Sequence, residues 1–174
     1  MRVLGIDPGS IHTGYGVVGR GQGGALVHIC GGAISPGAGL TIAERLFKVS
    51  EGLAAIISEH KPDAVSIESV FFAKNVKSAI TLGQARGAAL LSAARFALPV
   101  FEYAPTAIKL AVTGYGQADK AQVQKMVKLL LKSTEEFKKA DASDALAIAI
   151  CHIHHCRESS PGMKRPASAS TAPR

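Results

Sequence analysis

The feature that most constrains the fold is a short apolar run near the N-terminus that ends in one carboxylate and a tight turn. Residues 3–6 are followed at once by Asp7 and then by Pro8-Gly9. Proline fixes its own φ and glycine tolerates a positive φ, so this pair predicts a turn at the end of a buried strand. A lone buried carboxylate is costly, and an Asp in such a place is usually paired, hydrogen-bonded or metal-bound. We therefore interpret the rest of the chain as the source of partners for Asp7.

The hydrophobic pattern predicts an α/β fold. Three strand signals come first, separated by glycine-rich turns, and helices then alternate with two further strands. The predicted strands are residues 2–7, 14–20, 25–34 and 63–69 and a strand from residue 99; the predicted helices are residues 42–61, 77–97, 105–112 and 120–132 and a last helix from residue 141. This order predicts a five-stranded mixed sheet flanked by helices on both faces.

Composition predicts one compact domain. The chain has 174 residues, of which 47% are hydrophobic, and we expect a domain over residues 1–157 followed by a disordered basic Ser/Pro/Ala tail over residues 158–174. The sequence contains neither an apolar run long enough to span a membrane nor a secretory signal, so we expect a soluble, cytoplasmic protein with no membrane partner. The net charge of +7 favours a polyanionic partner.

Four carboxylates occur within or at the ends of apolar segments, where a charged side chain is unusual unless it has a partner. Asp7 and Glu68 end apolar strands, and Asp141 and Asp144 lie three residues apart on an otherwise apolar helix. If the two strands are neighbours and the last helix packs over them, all four side chains converge. Their mutual repulsion then requires a cation, and hard ions such as Mg²⁺ prefer oxygen ligands. Two such ions at one site support phosphodiester hydrolysis, with Asp7 as the best candidate for the bridging ligand.

Each carboxylate taken alone has a simpler explanation. Asp7 could cap the turn that follows it, and Glu68 could be an exposed strand end. Asp141 could be a helix N-cap, and Asp144 could be an acid in the first turn that interacts with the helix dipole. Only the combination of the four favours a metal site.

Basic and aromatic residues near these carboxylates suggest contacts with DNA. Lys120 ends a glycine-rich loop and, with Lys109, is a candidate for a phosphate contact. The lysines of the helix after that loop are more simply explained as a solvated face; they are Lys125, Lys128 and Lys132. Phe71 and Phe72 follow the Glu68 strand and could either belong to the core or stack on bases.

The segment from Cys151 to Cys156 contains two cysteines and three histidines. Neighbouring positions on one helix point in different directions and cannot all bind one tetrahedral ion. We therefore predict no zinc site here, and interpret the segment as a helix end.

Several segments resemble, in order and spacing, the motifs of RuvC-type Holliday junction resolvases. The resemblance spans about residues 1–156. It rests on residues 5–10 with 13–18, residues 67–71 with 73–75, residues 82–87, residues 116–120 with 123–124, and residues 140–149. Ser69 stands where many members carry Gln, and Asp141 where some carry His.

The resemblance implies an RNase H-like fold and a homodimer that places two active sites on one four-way DNA junction. Each subunit of such an enzyme nicks one of two opposite strands, leaving a 5′-phosphate and a 3′-hydroxyl, in homologous recombination and DNA repair. Two Mg²⁺ ions per site are implied, with Mn²⁺ as a substitute, and the RuvA–RuvB branch-migration complex is the implied partner.

By match of motif, four carboxylates would be both catalytic residues and metal ligands: Asp7, Glu68, Asp141 and Asp144. Phe71 would engage DNA near the crossover, and Lys109 and Lys120 would lie near the scissile phosphate.

Two other functions remain open from the sequence. A non-catalytic junction-binding protein would use the basic surface but would have no need of four convergent acids. An RNase H-like relative could carry another nuclease activity or an ATPase activity, as in the actin and sugar-kinase superfamily. The ATPase would need a second domain to close over the nucleotide, for which 174 residues leave no room.

Overall fold

The computed structural model describes residues 1–9, 11–69, 76–132 and 140–158. The strands are β1 (Arg2–Asp7), β2 (Thr13–Arg20), β3 (Leu26–Ile34), β4 (Ala64–Glu68) and β5 (Val100–Tyr103). The helices are α1 (Ile42–His60), α2 (Val76–Arg95), α3 (Pro105–Thr113), α4 (Lys120–Leu130) and α5 (Ala140–Glu158), with a short 3-10 turn at Gln22–Gly24.

The five strands form one mixed sheet in the order β3-β2-β1-β4-β5. β1, β2 and β3 are antiparallel neighbours, whereas β4 runs parallel to β1 on one side and to β5 on the other. The predicted five-stranded mixed sheet is confirmed. β1 lies at its centre. Because β1 and β4 are parallel neighbours, their carboxyl ends meet at the same edge.

Helices cover both faces of the sheet and create two cores. Alternate residues of β1 point to opposite faces, so that Leu4 and Ile6 join the core formed with α1 and α2 while Val3 joins the core formed with α3, α4 and α5. α5 lies across β1 and β2 and is buried along most of its length.

The helix starts follow local capping chemistry. Asp119 caps α4 in a capping box with Gln122, as predicted, and Thr41 with Glu44 forms the same motif at α1. α5 begins at Ala140, so Asp141 lies in its first turn. The simpler explanation of Asp141 as the N-cap is therefore wrong.

None of the helices in the described ranges is long and apolar enough to cross a membrane. α5 extends through Glu158, and residues 159–174 lie outside the described part of the chain. The division into a domain and a disordered tail stays a prediction.

Candidate active site

Asp7 and Glu68 end adjacent parallel strands. The pairing of β1 with β4 runs to Ile6 opposite Ile67, so the next residue of each strand is a carboxylate. Both carboxylates belong to the face of the sheet that α5 covers, since the residues two positions earlier face that helix: Gly5 lies against the backbone of Ala145, and Ser66 Oγ donates to the carbonyl of Ile148 at 3.2 Å. The strand register thus brings the two carboxylates to one edge and one face.

Glycines let α5 lie directly on the strand backbones. A Cβ atom at Gly5 would overlap the carbonyl oxygen of Ala145, and one at Gly14 would overlap that of Asp141. Gly14 is also the residue that pairs with Asp7 across β1 and β2. The absence of side chains at these positions brings the first turns of α5, with Asp141 and Asp144, close to Asp7.

The other three carboxylates act electrostatically on Asp7. Burial, followed by the charges of Glu68, Asp144 and Asp141, raises the pKa of Asp7 to about 7, whereas Lys120 acts in the opposite direction. The pKa of Glu68 is raised by burial and then by Asp144. Like charges held together in a partly desolvated place account for both shifts.

Lys120 supplies positive charge inside this cluster. Its Nζ atom lies 2.6 Å from Oδ2 of Asp144, and this hydrogen bond is the largest cause of a raised pKa at Lys120. The capping box of Asp119 and Gln122 fixes the backbone immediately before it. A lysine in the first turn of a helix interacts unfavourably with the helix dipole. At Lys120 the neighbouring carboxylates offset this cost.

A cavity of about 200 Å³ opens beside the cluster. Its polar lining consists of Glu68, Asp144, Lys109 and Lys120, and its other walls come from apolar parts of α3, α4 and α5. Lys109 also lowers the pKa of Glu68. The structure therefore places both predicted lysines at the same opening as two of the four acids.

The donor set fits a hard divalent cation by its chemistry. Every candidate ligand is a carboxylate, the ligand type that Mg²⁺ takes in phosphoryl-transfer sites. Within the described residues, no group of three or more His, Cys, Asp or Glu side chains is arranged to hold a metal ion. Asp144 is in contact with Lys120, and Lys120 also lowers the pKa of Asp7.

Comparison with known proteins identifies the family. The model of a family described as crossover junction endodeoxyribonuclease RuvC matches residues 3–152. The chain belongs to the RuvC family. Crossover junction endodeoxyribonuclease RuvC of Geobacter sulfurreducens is 53% identical over 154 residues, 88% of this chain and 93% of the relative. The RuvC of Citrifermentans bemidjiense is 51% identical with the same coverage.

Solved structures of RuvC agree with this assignment. The structure of Thermus thermophilus RuvC matches with a TM-score of 0.84 and 33% identity, covering 92% of this chain and 98% of that one. The Thermus thermophilus protein in complex with a Holliday junction substrate matches with a TM-score of 0.83 and 29% identity over the same shares. The fold is the RNase H-like fold of RuvC, as predicted.

One predicted DNA contact of the RuvC type lies outside the described residues. Phe71 falls in the range 70–75, of which the structure describes nothing. Its assigned role stays a prediction.

Sequence reasoning assigned no role to Arg86, which lies beside the site. This residue belongs to a segment that resembles RuvC, and its guanidinium donates a hydrogen bond to the backbone carbonyl of Glu68 at 2.7 Å. The residue type and the helical pattern of α2 carry no signal for this contact, because the partner is 18 residues away on another element.

Among the Cys and His residues at the end of α5, Cys151 and His152 are buried, whereas His155 is exposed. His152 shares hydrogen bonds with the hydroxyl of Tyr103 at 2.7 Å and with Sγ of Cys156 at 3.5 Å. Its ring lies 4.2 Å from that of Phe101, centroid to centroid. Burial lowers the pKa of His152 to about 4, so the ring is neutral at physiological pH.

Proposed function

We propose that this chain is a Holliday junction resolvase that nicks two opposite strands of a four-way DNA junction. Membership of the RuvC family supports the substrate, and the Thermus thermophilus RuvC was solved with a Holliday junction substrate. The observation that carries the chemistry is the convergence of carboxylates at the end of β1: the β1–β4 register brings Asp7 beside Glu68, and burial and the charges of three neighbouring carboxylates raise the pKa of Asp7 to about 7. Several carboxylates close together in a partly buried place repel one another unless a cation binds between them.

The proposed site residues are the four carboxylates Asp7, Glu68, Asp141 and Asp144. RuvC family nucleases are metal-dependent, and we assign Mg²⁺, two ions per site with Mn²⁺ as a substitute, to these ligands. When bound, the ions supply Lewis acidity toward water and toward the phosphate oxygens. Asp7 takes the central position because it lies on the middle strand and is influenced by the charges of the other three.

The remaining groups orient the DNA. Lys109 and Lys120 line the cavity beside the acids and are assigned to the phosphates flanking the cleaved bond. Phe71 is assigned to the bases near the crossover. Hydrolysis forms a bond between a water oxygen and phosphorus and breaks the bond from phosphorus to O3′, so the products are a 5′-phosphate and a 3′-hydroxyl.

We also propose that two copies of the chain act together. α2 presents an exposed stripe of apolar and small residues, namely Val76, Ile80, Gly83, Gly87, Leu91 and Ala94. A Cβ atom at Gly83 or Gly87 would meet nothing within 4 Å, so the stripe is flat enough for a second helix to approach closely. A homodimer through α2 would cover this surface and pair two active sites on one symmetric junction.

Two further assignments come from the family. The RuvA–RuvB branch-migration complex is the proposed protein partner, and the cytoplasm is the proposed location.

The experiment that tests the function compares a labelled four-way junction with a linear duplex of the same sequence, each in Mg²⁺ and in EDTA. We expect paired, ligatable nicks in the junction only, lost in EDTA. Cleavage of both DNAs would support another nuclease activity, and tight junction binding without cleavage would support a non-catalytic binding protein.

A further inference from the structure

Arg86 on α2 reaches across to the end of the strand that carries Glu68. Its Nη1 atom donates to the Glu68 carbonyl oxygen at 2.7 Å, and its Nη2 atom lies 2.6 Å from Oε1 of Glu102 on β5. The side chain is only 16% exposed. A single guanidinium therefore joins α2 to the carboxyl ends of both β4 and β5.

The contact restrains the peptide that follows Glu68, and this peptide helps to orient the Glu68 side chain. Glu68 is the last residue of β4 and pairs with Tyr103 of β5, and the N–H of Ser69 donates to the Tyr103 carbonyl at 2.8 Å. The carbonyl of Glu68 belongs to the same peptide unit as that N–H. Since Arg86 binds the oxygen and β5 binds the nitrogen, the peptide plane after Glu68 is held at both ends.

We propose that Arg86 is a positioning residue for the Glu68 carboxylate. Fixing the peptide that follows Glu68 limits rotation about its Cα–C bond and keeps the side chain directed toward Asp7 and Asp144. This inference rests on the proposed function, because it matters for catalysis only if Glu68 is a site residue. Arg86 touches neither the DNA nor the reacting atoms in this role.

The geometry excludes generic attraction of DNA as the role of this arginine. Its side chain is mostly buried, and Glu102 lies against its charge. A planar guanidinium offers two parallel donors in a fixed fork, which is what a carbonyl and a carboxylate on adjacent strands require. A lysine at the same position has one flexible ammonium and cannot reproduce both contacts with the same geometry.

Three variants distinguish the effect of the hydrogen bond to the Glu68 carbonyl from the effect of the ion pair with Glu102 and from that of losing a positive charge in general. Arg86→Met removes both contacts, and Glu102→Gln removes only the ion pair. The matched control is Arg95→Met, because Arg95 lies on the same helix and forms an exposed pair with Glu51 at 3.7 Å. The measurements are kcat and KM for nicking of a four-way junction in Mg²⁺, junction affinity in EDTA, and the thermal midpoint of each variant.

We expect Arg86→Met to lower kcat by about 10²-fold, the typical effect of displacing a reacting group by about 1 Å. KM and junction affinity should stay at the wild-type values, since the DNA-binding surface is intact. Glu102→Gln and Arg95→Met should both keep the wild-type kcat, and Arg86→Lys should recover part of the loss. If Arg86→Met does not fold, Arg86→Lys carries the test, with a reduced kcat and an unchanged KM expected.

Three results would overturn the proposal. They are a wild-type kcat for Arg86→Met, a loss in Glu102→Gln as large as that in Arg86→Met, and a rise in KM with kcat unchanged. Failure of the proposed function is a separate outcome, because there the wild-type protein itself would not nick a four-way junction.

Discussion

At the scale of single residues, the site depends on how charge is balanced around Asp7. The carboxylate stands at the end of a buried strand, and its pKa is raised to about 7 by burial and by its acidic neighbours. The positive charge of Lys120 lowers the pKa of Asp7, and Lys120 is in contact with Asp144. The roles of these two residues can be tested separately.

Replacing Asp7 with Asn is expected to lower cleavage of a four-way junction by about 10²-fold or more, since it removes the central charge of the cluster. Junction binding should stay the same or become tighter, because one negative charge facing the DNA is lost. Nicking assays and gel-shift titrations with the same DNA measure the two effects. Cleavage at the wild-type rate would contradict the assignment of Asp7.

The same variant has a stability readout in EDTA. A carboxyl whose folded pKa is about 7, against an ordinary value of 3.8, keeps its proton in the folded state more readily than in the unfolded state. Its contribution to stability is therefore lost as the pH rises from about 4 to about 7. At pH 8 without divalent ions, Asp7→Asn should unfold at a higher temperature than the wild type, and this result would exclude a folding defect as the cause of its lost activity.

Replacing Lys120 with Ala is expected to lower kcat by about 10²-fold, as for other groups that act on charge in a preorganised site. The matched control is Lys125→Ala, because Lys125 is an exposed lysine of the same helix and does not line the cavity. Cleavage rates of the two variants at one salt concentration are the measurement. Equal losses would mean that both lysines supply only general positive charge.

At the scale of elements, the site exists because glycines of β1 and β2 let α5 lie directly on the strand backbones. Gly5, Gly14 and Gly16 each face backbone or side-chain atoms of α5 at distances too short for a Cβ atom. Close packing of this kind tolerates no added methyl group unless the helix moves. The glycines therefore determine how closely α5, with Asp141 and Asp144, approaches Asp7.

The expected effect of Gly14→Ala is a loss of about 1–3 kcal/mol in the free energy of unfolding, the usual range for overpacking, together with a loss of cleavage. The new methyl group would displace the first turn of α5, which carries Asp141. Gly31→Ala is the control: its Cβ would lie 3.4 Å from a flexible side-chain atom of Leu146 on the same helix. Denaturant unfolding and nicking assays measure both effects, and a harmless Gly14→Ala would contradict this account of α5.

At the scale of the whole molecule, α2 connects the interior of the protein with its surface. One side of the helix is buried against α1, while the other presents the exposed apolar stripe assigned to the dimer. Arg86 extends from the same helix to the end of β4. The oligomeric state and the pH dependence of global stability can both be measured in solution.

Leu91→Glu is expected to convert the proposed dimer into a monomer, because a carboxylate in an apolar interface would lose its hydration. Leu91 is 62% exposed, and Leu129 on α4 is 61% exposed, so Leu129→Glu is the matched control and should stay dimeric. Light scattering after gel filtration gives the mass of each variant. A Leu91→Glu variant with the wild-type mass would place the interface elsewhere.

Global stability should fall at acid pH through His152. A pKa lowered to about 4 from 6.5 means that the folded protein binds this proton more weakly than the unfolded chain. Stability is therefore unaffected by His152 above pH 6.5 and decreases as the pH falls to about 4, by up to about 3 kcal/mol in all.

Denaturant unfolding of the wild type and His152→Gln between pH 7 and pH 4 measures this contribution. We expect a shallower pH dependence of the free energy of unfolding for His152→Gln than for the wild type. Parallel curves for the wild type and His152→Gln would contradict the prediction.

Most elements of this fold follow from local patterns. The strand and helix bounds were close to those predicted, because alternation and helical spacing are properties of neighbouring residues, and the capping box of Asp119 and Gln122 is complete within four residues. The four carboxylates were selected as candidates because all four stand in apolar segments whose predicted arrangement brings them together, although each taken alone has a simpler explanation. By itself, the sequence thus determined the elements of the fold and the candidate ligands of the site.

The tertiary structure alone decided how those residues act on one another. The order of the strands sets Asp7 beside Glu68, and the position of α5 then determines the charges that surround Asp7. The ion pair of Lys120 with Asp144 and the bond from Arg86 to Glu68 join residues 24 and 18 positions apart on different elements. Burial and charge interactions depend on distance through space, which no local pattern of residues records.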